Sequence, residues 1–359
     1  MLLRFFGTVQ TIYNLFSSSP KRWEILTDNI GCSLHCLSGT RWTDRVDSVR
    51  PFAAHLPGLK TALQDLLNLN LTSQTRSTIH GAISYVSSFK CVLMSAIWIK
   101  VLTAIDIRNQ IIQARDATID VEVRNLDSLL DDMKELRGDF HKILTEAQHV
   151  AGACGITPEL TQVRQTRRST DDLTPEKEFH RNVFLPILDS VIAGLSTRFT
   201  AAKQINSTFK FLWLYPDMSD DDIVSASTNF ANIYSTDVSE EKLPQEVLQL
   251  KSIHSANIGS KNLDPFTLLN KLAHLNLEEI FINVSISLRI FYCLPATVAS
   301  AERSFSKLSL IKNAHRSTMT QVRLNDLAML GIESQLARQL DFSDCISSFA
   351  SKKARKVDV

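Results

Sequence analysis

The apolar residues of this chain recur at three- and four-residue intervals almost from end to end, the spacing that aligns one face of an α-helix. The first run is typical: Leu2, Phe5, Phe6, Val9, Ile12, Tyr13 and Phe16 lead to a Ser17-Ser18-Ser19-Pro20 stop. Similar patterns cover about 20–30, 44–70, 74–116 (one long apolar helix or a pair), 119–150 and 175–206. Pro186 lies inside the last of these and must kink or split it, because proline lacks the N–H and crowds the preceding turn. Ser219 with Asp222 three residues later predicts a helix start for 220–235. SLHCLSGTRW at 33–42 is the one strand candidate near the start, weakened by Gly39. Aperiodic stretches at 153–174 and about 236–263 read as loops.

Such a chain can bury a core. Of its 359 residues, 44% are hydrophobic and 21% charged, which excludes overall disorder and allows two domains or one with a large insertion. The net charge of +1 provides no global field for nucleic acid, so any such contact needs a local patch. Six cysteines are scattered through mostly apolar patterns, which fits buried thiols in a reducing compartment better than a disulfide frame. Arg4, Gln10 and Asn14 interrupt the apolar N-terminus and argue against a signal peptide. The most apolar run, 91–105, is too short to span a bilayer and contains Lys100. A soluble, intracellular protein is expected.

The stretch 293–330 is the most informative. Val298, Ala301, Phe305 and Leu308 form one apolar stripe, with Glu302 roughly 80° from its centre. A rim acid can face a cleft as a metal-binding carboxylate, or make a surface ion pair with Arg303 or Lys307. A basic turn follows, and Thr318 with Gln321 gives a capping-box start to a second helix. Val322, Leu324, Leu327, Leu330 and Ile332 supply that helix with a broad apolar surface. A partner subunit or the chain's own core can cover these two helices, and periodicity does not choose between them.

Other candidates have ready structural explanations. Cys32, His35 and Cys36 lack a second ligand pair at zinc spacing, so no metal site is expected. Asp220, Asp221 and Asp222 sit at a helix start, where the dipole favours negative charge. Trp42 can stack on a base or anchor packing between elements. Arg164, Arg167 and Arg168 form one basic cluster, and Lys352-Lys353-Ala354-Arg355-Lys356 forms another that suits nuclear import or simple solvation.

Four blocks, 5–26, 37–51, 178–199 and 293–330, resemble in order a group of hAT-type (hobo/Ac/Tam3-like) transposase-derived proteins. This is the zinc-finger MYM-type-like group, also described as similar to the repressor of the inhibitor of the protein kinase. The resemblance implies a mainly α chain: the C-terminal portion of an RNase H-like fold with a large helical insertion and most sheet strands missing. It divides the sequence into a residual RNase H-like segment (1–52, helices plus the last strand), a helical insertion (53–262), a C-terminal dimerisation region (263–335) and a basic tail (336–359). Glu302, within SAERSFS, falls at the family's third acid. The family cuts and rejoins DNA with two divalent metals held by three carboxylates. Its first two acids and its zinc-finger module are expected upstream of the block that begins at Met1.

The resemblance therefore implies a catalytically incomplete chain, not an enzyme, with no cofactor; Mg²⁺ or Mn²⁺ would enter only with a complete transposase. Its implied role is dimerisation through Val298, Phe305, Leu308, Val322, Leu324, Leu327 and Leu330. The partner would be a second copy or a related hAT-derived protein, in the nucleus or otherwise the cytoplasm. DNA is a weaker partner, through Trp42, Arg164, Arg167 and Arg168; a membrane or small-molecule substrate is not expected. Two alternatives remain: the C-terminal part of an active DDE-type transposase, and a nuclear DNA-binding repressor.

Overall fold

The computed structural model describes residues 2–37, 42–114, 117–160, 174–259, 263–294 and 299–352. Among them the regular structure is helical, with no strand, in agreement with a mainly α chain. The chain forms two compact units, Met1–Ala296 and Thr297–Val359.

The first unit has two apolar cores. One gathers α1 (Leu2–Ser17), α2 (Pro20–Ile30), α3 (Trp42–Ala54), α4 (Leu56–Leu66), α5 (Ser73–Val86), α6 (Phe89–Ile112) and α8 (Phe140–Ala153). At its centre lies α6, whose consecutive residues Cys91, Val92, Leu93 and Met94 are all buried. A helix apolar on every side has to be enclosed, and this accounts for the long apolar run of the sequence. Ser88 starts α6 by accepting the Cys91 N–H, which breaks the 74–116 pattern into a pair. No single helix among the described residues is long and apolar enough to cross a membrane. Burial pushes the Cys91 thiol up to about 12. The other cysteines are less enclosed than expected: all six are free thiols, and Cys36, Cys293 and Cys345 are exposed.

Two long helices, α7 (Ile119–Gly138) and α10 (Leu185–Phe209), pack together and link the cores; Leu126, Ile192 and Leu195 touch both. Ion pairs Arg137–Asp189 (2.7 Å) and Lys203–Asp127 (2.6 Å) tie the pair at its surface. Pro186, second residue of α10, is accommodated without breaking the helical path. After α9 (Pro175–Phe179) a π-turn, His180–Phe184, widens the helix, and the Leu185 N–H reaches back to the His180 carbonyl. A wide turn before proline relieves the clash that otherwise kinks a helix.

The second core combines α11 (Phe211–Leu214), α12 (Asp220–Ile233), α13 (Lys242–Ile253), α14 (Pro265–His274) and α15 (Ile282–Cys293) around Phe209, Phe230 and Phe291. Ser219 caps α12 as its spacing predicts, accepting the Asp222 N–H.

Two further sequence expectations for the first unit are corrected. Residues 33–37 of the expected strand have no ladder partner and form none. Side chains satisfy that backbone instead: the Leu37 N–H donates to Gln10 Oε1 (2.8 Å), and Ser48 Oγ donates to the Cys36 carbonyl (3.0 Å). The expected loop at 236–263 contains α13 and a π-turn, His254–Ile258, because Leu243, Val247 and Leu250 at helical spacing enter the second core.

The second unit comprises α16 (Ala299–Ile311), a 3₁₀ turn at Ala314–Arg316, α17 (Gln321–Ile332), α18 (Ser334–Ala337) and α19 (Ser343–Ser351). Helical structure thus continues to Ser351 in the stretch expected to be a basic tail. The capping box shifts as well: Thr320, not Thr318, occupies the N-cap of α17, and it makes no side-chain cap bond.

Candidate dimerisation surface

Within the first unit, α13 and α15 are locked by a buried polar contact. The N-cap of α15 is Phe281, which has no side-chain acceptor. Glu246, projecting from α13, takes over this role: its carboxylate accepts the N–H groups of Asn283 (2.7 Å) and Val284 (3.1 Å) and the Asn283 side-chain amide. Asn283 Oδ1 in turn accepts the Ser239 N–H at 2.9 Å. A carboxylate at a helix N-terminus satisfies orphan donors and complements the dipole. Nearby, buried Tyr215 and His254 share a 2.7 Å hydrogen bond, and burial raises the Tyr215 phenol above its ordinary value. Asp264 caps α14. Burial pushes its carboxyl up, but hydrogen bonds from Thr267 and Phe266 outweigh that effect and leave it below the usual carboxylate value.

The second unit is built differently. Lys307 of α16 donates to the Gly331 carbonyl (2.8 Å) and to Ser334 Oγ (3.2 Å), fastening α16 to the end of α17. Gly331 allows this approach, since a Cβ there would sit 3.2 Å from Ile311 Cδ1. Yet Leu324 is the one large apolar side chain buried among the unit's described residues. Phe305, Leu310, Val322 and Met329 are each at least 65% exposed, and Leu330 and Ile332 are also open to solvent.

The residues expected at an interface therefore separate. Phe305, Val322 and Leu330 are exposed, Leu308 and Leu327 are half-buried, and Leu324 is inside. Val298 lies outside the described residues. Leu310 and Met329 are as exposed as these and lie off the apolar stripes that periodicity draws. Exposure, the property an interface needs, depends on the tertiary pairing.

Glu302 belongs to α16, and Trp42 to α3, but neither side chain is among those described. Arg164, Arg167 and Arg168 lie outside the described residues, as does the tail beyond Lys352. Among the described residues no three His, Cys, Asp or Glu side chains converge as metal ligands. Cys36 instead lies 3.5 Å from the Gln10 amide. In the acidic run, Asp220 pairs with Lys251 at 2.6 Å.

Residues 245–336 match the hAT family C-terminal dimerisation region. The match begins in α13, one residue before Glu246, and ends in α18. It supports a hAT-family, transposase-derived origin and a role in dimerisation or protein interaction. No curated protein and no solved structure matches the chain.

Proposed function

We propose that this chain is a dimerisation protein that self-associates through the apolar surface of α16 and α17. The observation that carries the reading is the second unit's composition of surface and core. Among its described residues it buries Leu324 alone of the large apolar side chains, and it exposes Phe305, Val322 and Leu330 within a segment matching a dimerisation region. Large apolar side chains left exposed on one pair of packed helices mark an interaction site. A second copy is the simplest cover, because an isologous two-fold contact places the same patch on both subunits. The narrower kinship to the MYM-type-like group, and nuclear residence, belong to this same reading. Glu302 has no chemistry of its own in it, since a two-metal site needs several carboxylates.

Sedimentation velocity of the full chain tests the reading. The wild type is expected to run as a dimer at micromolar concentration. The double variant Val322→Lys, Leu330→Lys should run as a monomer with unchanged far-UV circular dichroism, since both side chains are already exposed. A wild type that is monomeric at these concentrations overturns the proposal.

A further inference from the structure

The helix α17 has two unlike sides. Leu324 is buried, and Leu327, Ala328 and Gly331 are half-buried; this side packs on α16, with Gly331 against Ile311. Val322, Asn325, Met329 and Ile332 fall on the other side, within about 80° of one another, and all four are exposed. Their spacing of three, four and three residues is that of the core positions of a two-stranded coiled coil. The row lies inside the segment that matches the dimerisation region.

Asn325 interrupts an otherwise apolar row, and it constrains what can cover that row. Its Oδ1 accepts Gln321 Nε2 at 2.9 Å, which holds the amide in place, and its Nδ2 has no partner among the described residues. An amide both donates and accepts, so a second asparagine at the same level satisfies both capacities. Against an apolar residue the amide would lose water without gaining a hydrogen bond. A single asparagine within such a seam fixes register and strand number, at some cost in stability. A residue that matches itself, set in the middle of the row, argues for a second copy of this chain as the cover.

Direction follows from the same residue. In a parallel, in-register pair each of the four residues meets its own counterpart, and the two Asn325 amides pair. In the antiparallel pair that interlocks the same positions, Val322 lies against Ile332 and Asn325 against Met329. Each amide then faces a thioether, a weak acceptor that donates nothing. That arrangement also sets the two exposed Asp326 carboxylates, which flank the row, side by side.

We propose that α17 forms a parallel, in-register seam with α17 of a second copy, apolar at Val322, Met329 and Ile332 and joined by a hydrogen bond between the two Asn325 amides. This inference rests on the dimerisation reading above. It adds the direction, the register and the residue that selects a like partner.

The test mixes two full-length variants, Asn325→Asp and Asn325→Lys, carrying tags of different mass, and reads the species by native mass spectrometry. Position 325 is exposed within one chain, so both variants should keep the far-UV circular dichroism of the wild type. Where position 325 meets itself, each homodimer sets like charges together and only the heterodimer sets opposite ones. The heterodimer should exceed the statistical ratio on the order of tenfold, and the excess should shrink at high salt. The same mixture made at Val322, from Val322→Asp and Val322→Lys, reads direction. It should show the excess in a parallel pair and none in the antiparallel one, where the two copies of position 322 are about 15 Å apart along the axis and screened. An excess at 325 without one at 322 overturns the parallel seam. A dimeric wild type with no heterodimer excess at 325, whether the mixture is statistical or monomeric, overturns the α17 contact and leaves the dimerisation reading standing. A monomeric wild type overturns both.

Discussion

At the first turn of α15 the N–H groups of Asn283 and Val284 have no acceptor from the preceding residue, Phe281, and a carboxylate from another helix supplies one. Removing it strands donors in a buried setting, where each unsatisfied group costs about 1–3 kcal/mol. Glu246→Ala should therefore lower stability by about 3 kcal/mol or more in urea denaturation. Glu246→Gln should lower it by about 1–2 kcal/mol, since its amide nitrogen offers a donor where donors already converge. A loss under about 0.5 kcal/mol in both would show that Glu246 is not the cap. Nothing local in the sequence marks this residue. Its partners are 37 and 38 positions away, and Glu246 is itself on a helix hidden within an apparent loop. Ser219 was legible by contrast, because its acceptor–donor pair closes within three residues.

Among the elements, most helices could be read from apolar period and stop residues, because a helix that packs one face must repeat that face in its sequence. Alternatives to a helix were harder to judge. The 33–37 segment has strand-like composition, but a strand needs a neighbour and the fold offers none among the described residues. The turn at His180–Phe184 shows the same dependence: sequence marks the disturbance at Pro186, and packing selects its form. Where helices approach closely, glycine records the constraint. A Cβ on Gly58 of α4 would lie 2.8 Å from the Asn29 carbonyl oxygen and 3.0 Å from Ile30 Cγ2, both belonging to α2. Backbone cannot yield cheaply, so Gly58→Ala should cost about 1–3 kcal/mol by pushing α2 from α4. Gly81 in α5 has open space at the same position, and Gly81→Ala should stabilise by up to about 1 kcal/mol. Equal effects of the two substitutions in chemical denaturation would show that the α2–α4 contact is not what sets the Gly58 penalty.

The whole molecule divides by how each unit would be held together. The first unit has two large apolar cores of its own, joined through α7 and α10. The second has α16 and α17 fastened by Lys307 and packed at Gly331, but among its described residues buries Leu324 alone of the large apolar side chains. Sequence alone showed the amphipathic helices of this region and left open whether the chain or a partner covers them. The exposed Phe305, Val322 and Leu330 favour a partner, because a self-contained unit would have turned them inward. Stability in the second unit is then coupled to association, while that of the first is not. Limited proteolysis of the full chain across a dilution series separates the two. Fragments ending near the boundary between Ala296 and Thr297 should accumulate at nanomolar concentration, as α16–α19 are digested and the first unit resists. At tens of micromolar, the second unit should become resistant, and the Val322→Lys, Leu330→Lys variant should lose that protection. Equal resistance of the second unit at both extremes would mean that it is complete without a partner, and that its exposed apolar face serves some purpose other than holding a dimer.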